Sequence, residues 1–446
     1  MNLNQLPGKN PRHFLALLSA IFLALLTTAA VADNGDHNGG NAPLIITKEG
    51  NFFVGGQHNA SDQIVGQMYV EYQIPQKQTQ KYPIILVHGG GQLGVGWWQT
   101  PDGREGWAQY FLRRGYAVYV VDQPARGRSP YHSSLGPLSD ANNSLNAQRL
   151  WAAIERSKLW PAAILHTQWP GPAVDGDPTF EQFLASQTAA IGNVPQYFLT
   201  ADALVALLEK IGPAILIPHS QPGWSAWAVA DRRPSLVKGL IQIEPGPTAH
   251  ATQPFGLIDV PWGLAFGPIA YSPPVTDPSQ LIFEDVPVTD PYVSTCRLQR
   301  EPARQLHNMA KVPILLLSSP SGYNTLWDHC TSLYLTQAGV GHTWQKLQDI
   351  GIFGNGHFMF LEKNSDEVAG VVLDWIEEHV EKEAVPGDVF KRTPGLEIPG
   401  TGEGDGPHED LDPALANRFT EQRVGSQPFF DQSHDASSLS DIVGAP

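Results

Sequence analysis

The sequence predicts an α/β fold with a doubly wound, mostly parallel sheet, and three observations carry that expectation. Short continuous apolar runs, "PIILV" at 83–87 and "AILI" at 214–217, read as strands buried on both faces. Helical segments alternate with them, the pattern of repeated βαβ units. Small-residue turns follow the strands in "VHGGGQLG", "IPHSQPG" and "IEPG", on the side of such a sheet where ligands bind.

The elements follow in order. "PLIITKEGNFFVGG" and "GQMYVEYQIP" alternate apolar and polar residues and predict an antiparallel hairpin at a sheet edge. "YPIILVHGG", the helical "GREGWAQYFLRRGY" and the strand "AVYVVDQ" then make a βαβ unit. Further along, helices are expected at 200–211, 224–232, 325–337 and 365–381, with strands at 214–217, 237–243, 312–318 and 344–350. Two stretches break this rhythm, about 130–196 and 249–308. Both are rich in Pro, Trp, Phe and Tyr and leave from strand carboxyl ends, so they read as a lid or cap with an aromatic wall.

The ends of the chain carry different information. Lys9 and Arg12, the apolar run Phe14 to Leu26 and the small-residue site Ala30-Val31-Ala32 form the pattern of a cleavable secretory signal peptide over residues 1–32. A retained anchor is the alternative reading of the same stretch. A Gly/Asn/Asp-rich linker occupies 33–42, the folded domain is expected over 43–385, and 386–446 reads as an acidic, disordered tail. Export to a secreted or periplasmic location sets an oxidising context, in which the two cysteines, Cys296 and Cys330, are expected to pair. A metal role for them beside His329 is the weaker reading, because one His-Cys neighbourhood falls short of a zinc site. The formal net charge of −16 argues against a nucleic-acid partner.

Acyl transfer needs a nucleophile, a base, a group that orients the base, and donors for the oxyanion. Ser220 stands in "ILIPHSQPGWSAW", between a strand and a helix, where its hydroxyl projects at the strand end beside a positive helix terminus. The glycine positions of the usual G-x-S-x-G turn are Pro218 and Pro222. Pro222 falls in the first helical turn, where a missing N–H matters little, whereas Pro218 is harder to accommodate. His357 in "GIFGNGHFMFLEKN" follows the last strand and two glycines; His342 and His329 are placed less favourably. Two acids contend. Glu244 ends the strand "VKGLIQIEP" next after the nucleophile's, while Asp328 lies at a helix start where an acid is favoured anyway; Glu244 is preferred. Backbone N–H groups of Gly90 or Gly91, with Gln221, are the oxyanion candidates. Neither nucleotide-binding glycine pattern is present.

Together, "ILVHGGGQLGVGWWQTPDGREGWAQYFLRRGYAVYVVDQPARGRSP", "PHSQPGWSAW", "LIQIEPG" and "GNGHFMFLEKN" resemble the α/β-hydrolase superfamily. Within it they are similar to secreted bacterial and fungal carboxylesterases with a glutamate as triad acid. The resemblance covers roughly Pro43 to Glu381. It implies Ser220 as nucleophile, Glu244 as acid, His357 as base, and Gly90 with Gln221 as oxyanion donors. "DQPARGRSP" is read as a structural turn shared across the superfamily. Two features depart from the related pattern: Pro222 stands where related sequences usually carry a small residue, and Gly89 to Gly91 occupy the loop in which relatives can carry cysteines. The implied activity is hydrolysis of carboxylic esters with apolar groups, without metal or organic cofactor and without stable membrane insertion. The same triad also serves lactones, polyesters or amides, and a non-catalytic ligand-binding protein is the reading from another class.

Overall fold

In the computed structural model the described residues are 43–248, 251–252, 257–288 and 290–381. The signal-peptide and linker readings, and the tail reading at 386–446, lie outside them. The chain forms β1 (Ile46–His58), β2 (Ile64–Pro75), β3 (Ile84–Val87), α1 (Val95–Trp98), α2 (Trp107–Arg113) and β4 (Val118–Asp122). Short helices α3 (Ser144–Ala147), α4 (Ile154–Ser157) and α5 (Pro178–Ala185) follow, then α6 (Asn193–Ile211), β5 (Ala214–Pro218), α7 (Pro222–Arg232) and β6 (Val237–Ile243). The second half holds β7 (Ala251–Thr252), β8 (Leu257–Ile258), β9 (Phe283–Val286), β10 (Cys296–Gln299), β11 (Ile314–Ser318), α8 (Asp328–Gln337), β12 (Thr343–Lys346) and α9 (Ser365–Ile376).

One mixed sheet organises these elements, in the order β1-β2-β4-β3-β5-β6-β11-β12. The β1–β2 and β2–β4 pairs are antiparallel and the others parallel. The expected hairpin therefore forms the sheet edge. In the central strands successive side chains enter opposite cores: Ile84, Leu86, Ile215 and Ile217 join α2 and α9 on one face, and Ile85, Val87, Ala214 and Leu216 join α6 and α7 on the other. Burial on both faces is why these strands carry no polar alternation.

β3 has β4 on one side and β5 on the other, so the chain reverses its winding there. The loops after β3 and β5 consequently diverge and leave a crevice at the strand ends. Those loops carry Gly89 to Gly91 and Ser220.

Several boundaries differ from the sequence expectation. The helix expected from 200 begins at Asn193, with Pro195 inside its first turn, where no intrahelical N–H is required; the first insertion is correspondingly shorter. The helix expected from 325 starts at Asp328, because 323–326 form a tighter 3₁₀ turn. The last strand stops at Lys346, and 347–350 close as another 3₁₀ turn. Cys296 and Cys330 are disulfide-bonded, linking β10 to α8. Both sulfurs are thereby removed from metal ligation beside His329.

Candidate active site

Ser220 occupies the sharp step from β5 to α7 with φ +64. A non-glycine residue is held in this sparsely populated region only when its surroundings fix it, at about 1–3 kcal/mol. The surroundings here are hydrogen bonds: Ser220 N–H donates to the Ile243 carbonyl at 3.0 Å, and the Ser220 carbonyl accepts from Gly223 at 2.9 Å and Gly246 at 3.2 Å. Two glycines allow the approach. A Cβ at Gly89 would lie 2.8 Å from His219 Nδ1 and 3.2 Å from Ser220 Cβ, and one at Gly223 would lie 2.6 Å from Pro245 Cβ.

The two prolines fit. Pro222 is the first helical residue of α7. Pro218 pairs with Val87 at the end of β5, and the donors resume directly after it: His219 N–H reaches the Val87 carbonyl at 3.0 Å and Ser220 N–H turns to β6.

His357 sits in the loop before α9, where Gly354 has φ +82 and a Cβ there would come within 2.0 Å of Thr167 Oγ1. Its Nδ1 lies 2.7 Å from Glu244 Oε2. Its backbone carbonyl accepts from His219 Nε2 at 2.9 Å. The ring packs on Tyr323 with centroids 4.3 Å apart.

Glu244 follows β6 with φ +42 and is fully buried. Its Oε1 accepts from the Ser319 N–H at 2.8 Å and from the Ser319 hydroxyl. Burial pushes this carboxyl up to about 7, against the pull of the Ser319 donors. The same burial lowers the His357 imidazole, keeping it neutral at rest. His219 is neutral for the same reason, with the neighbouring His357 adding to the effect of burial.

The other acid, Asp328, is also buried but faces elsewhere. It accepts from Ser318 Oγ at 2.5 Å and from Asn324 Nδ2 at 3.1 Å. Burial, followed by the charge of Glu244, raises its pKa well above the usual carboxylate range.

A small cavity opens over these groups, walled by Gly90, Trp151, His219, Ser220, Tyr323, His357 and Phe358. Trp151 belongs to the first insertion; no described residue of the second lines the cavity. Gly90 and Gln221 face each other beside it, since a Cβ on Gly90 would stand 3.7 Å from Gln221 Cβ. Among the described residues neither backbone N–H has an acceptor.

Tyr323 and Trp151 were not singled out from the sequence. The Tyr323 hydroxyl is in hydrogen-bonding contact with the Ser220 hydroxyl, and Trp151 stands beside both in the cavity wall. No hydrogen bond joins Ser220 Oγ to His357 Nε2 in this arrangement. The only sequence signal for Tyr323 is an aromatic residue in the loop after β11. Chemically, the cavity offers a hydroxyl, a neutral imidazole backed by a carboxylate, and free N–H groups.

No family model matches the chain. A curated fungal protein, "Probable secreted lipase phiG" of Fungal sp. (strain ATCC 74256), is 41% identical over 332 residues, covering 73% of this chain and 88% of the relative. A solved structure, "The Atomic Resolution Structure of a Novel Bacterial Esterase", superposes with a TM-score of 0.50 at 23% identity, over 78% of this chain and 100% of the other. The second likeness concerns the fold.

Proposed function

Because the chain belongs to the esterase and lipase family of the α/β-hydrolase fold and is a carboxylic ester hydrolase, we propose that it is a secreted serine hydrolase that cleaves apolar esters through an acyl-enzyme on Ser220. The observation that carries this reading is the convergence of Ser220 and His357 on one cavity, with Glu244 Oε2 at 2.7 Å from the far nitrogen of the imidazole.

Catalysis begins when the Ser220 hydroxyl turns from Tyr323 toward His357 Nε2. His357 takes its proton as Ser220 Oγ bonds to the ester carbonyl carbon. The imidazolium that forms is held and neutralised by Glu244. The carbonyl oxygen, now an alkoxide, is received by the Gly90 and Gln221 N–H groups and by the N-terminus of α7. The carbonyl re-forms, the C–O bond to the alcohol breaks, and His357 gives that alcohol its proton. Water then attacks the acyl-Ser220 carbonyl, losing its proton to His357, and the acid departs as Ser220 recovers its hydrogen.

Trp151, Tyr323 and Phe358 wall the cavity and favour an apolar group on the ester. The relative's description as a secreted lipase supports the same substrate class and export of the mature chain. Labelling with a fluorophosphonate probe, followed by peptide mapping, tests the nucleophile. Label on Ser220 and loss of ester hydrolysis in Ser220→Ala are expected; unchanged hydrolysis in that variant would overturn the mechanism. A panel of short-chain, long-chain and cyclic esters reads the substrate range.

A further inference from the structure

We propose that Arg126 is a positioning residue of the oxyanion site, which fixes and polarises the Gly89–Gly90 peptide and the Gln221 segment from behind. The proposal rests on the reading of Gly90 and Gln221 as the oxyanion donors.

Arg126 lies in the turn after β4 that the sequence presents as structural. Its guanidinium is buried, with the residue 1% exposed. Nη1 donates to the Gly89 carbonyl at 2.9 Å and Nη2 to Gln221 Oε1 at 2.7 Å. One rigid fork thus joins the loop after β3 to the residue following the nucleophile. Gln221 is anchored at its other end too, Nε2 donating to Asn193 Oδ1 at 2.5 Å.

The Gly89 carbonyl belongs to the peptide whose N–H is that of Gly90. It receives a second side-chain donor, His88 Nδ1, at 3.0 Å. His88 Nε2 accepts the Gln123 N–H at 2.9 Å, which fixes the imidazole in the tautomer that donates to Gly89. Burial, and then the Arg126 charge, lower its pKa to about 4, so it stays neutral. Donors on a peptide carbonyl draw charge from its N–H and make that N–H a stronger donor.

The electrostatics separate this role from packing. Among the described residues no carboxylate pairs with Arg126, and burial lowers its pKa to about 9. An unpaired buried guanidinium is a costly way to close a turn. The turn's own acid, Asp122, is taken instead by Arg128 at 2.7 Å. A fixed cation behind the two donors, away from bulk water, favours the alkoxide that forms in front of them and has no counterpart in the neutral ground state.

The test compares Arg126→Met and Arg126→Lys with wild type, with Ser220→Ala as reference, using a p-nitrophenyl ester and a trifluoromethyl ketone whose adduct carries the oxyanion. For Arg126→Met we expect kcat to fall about 10- to 100-fold, KM to stay within about threefold, and the ketone's inhibition constant to rise in step with the fall in kcat/KM. Arg126→Lys, which keeps the charge but cannot span both acceptors, should give intermediate values. If Arg126→Met does not fold, Arg126→Lys decides alone: loss of kcat with weakened ketone binding supports the role, and wild-type values overturn it. A rise confined to KM also overturns it. Wild-type kcat and ketone affinity in the Arg126 variants, with Ser220→Ala inactive, would remove Arg126 while leaving the triad; turnover by Ser220→Ala would instead remove the triad reading itself.

Discussion

His357 Nδ1 meets Glu244 Oε2 at 2.7 Å across 113 positions of sequence, and the contact is shut off from water, with side-chain exposures of 2% and 0%. Because Glu244 Oε1 is already occupied by two Ser319 donors, its orientation is set from behind, and only Oε2 is presented to the imidazole.

That arrangement makes Glu244→Gln informative. The Ser319 donors select the amide oxygen, so the amide NH₂ is turned toward His357 Nδ1. The imidazole must then carry its proton on Nε2 and can no longer accept one from Ser220. We expect kcat to fall about 10³- to 10⁴-fold while the fold is retained. In wild type the carboxyl is raised to about 7 by burial. A protonated Glu244 cannot neutralise the imidazolium, so kcat/KM should fall as pH drops through the neutral region. This limb belongs to the pair as a whole. A kcat/KM profile between about pH 5 and pH 9 reads it; a profile flat across that range would contradict the role of the carboxylate.

Tyr323 competes with His357 for the Ser220 hydroxyl. Tyr323→Phe removes that competition and keeps the ring packed against His357. A neutral hydrogen bond contributes about 0.5–1.5 kcal/mol, so fluorophosphonate labelling of Ser220 should accelerate about 2- to 10-fold. Tyr323→Ala loses the ring contact as well and should label more slowly than Tyr323→Phe. Slower labelling in Tyr323→Phe would show that the hydroxyl assists the nucleophile instead.

The turn at Ser220 gives a paired prediction. Pro222 is the first residue of α7, so Pro222→Ala meets no steric obstacle from a restored N–H and should change stability by less than about 1 kcal/mol. Gly223 is one position further on, yet a Cβ there would lie 2.6 Å from Pro245 Cβ and 2.8 Å from Gln242 Oε1. Gly223→Ala must therefore displace the segment that carries Glu244, at about 1–3 kcal/mol, with a loss of activity. Urea melts and ester turnover of the two variants check the contrast.

These residues also show what sequence reading captures. The parallel strands were legible because burial on both faces leaves unbroken apolar runs; Ser220 and Glu244 stood out because each follows such a run, and His357 because it follows two glycines in the last loop before a helix. The conformation at Pro218 was not legible: which neighbour takes each backbone donor depends on strands β3 and β6, both distant in sequence. Tyr323 and Trp151 were missed for a related reason. Each lies in an irregular segment with no periodicity, and its importance comes from where that segment ends in space. The start of α6 at Asn193 was hidden by Pro195, which usually signals a break but is tolerated in a first turn.

His166 provides the last prediction. It lies in the first insertion, nearly fully buried, with Nε2 at 2.8 Å from Glu362 and Nδ1 at 3.3 Å from Glu155. Glu362 also accepts the Gly356 N–H at 2.9 Å and Asn355 Nδ2 at 2.8 Å, so the insertion is bonded to the loop that aims His357. Burial alone would lower the His166 pKa, but its hydrogen bonds and attraction to Glu155 and Glu362 outweigh it and raise the value to about 9. A folded pKa above the unfolded value of about 6.5 means that the contribution to stability is complete below about pH 6.5 and is lost as pH rises through about 9. The amount at stake is on the order of 3 kcal/mol. Thermal melts across that window should show the wild type losing stability as pH rises. His166→Gln, which cannot carry the charge, should be less stable than wild type at about pH 6 and converge toward it at about pH 9. Parallel curves for the two proteins would show that the charge on His166 does not hold the insertion to the His357 loop.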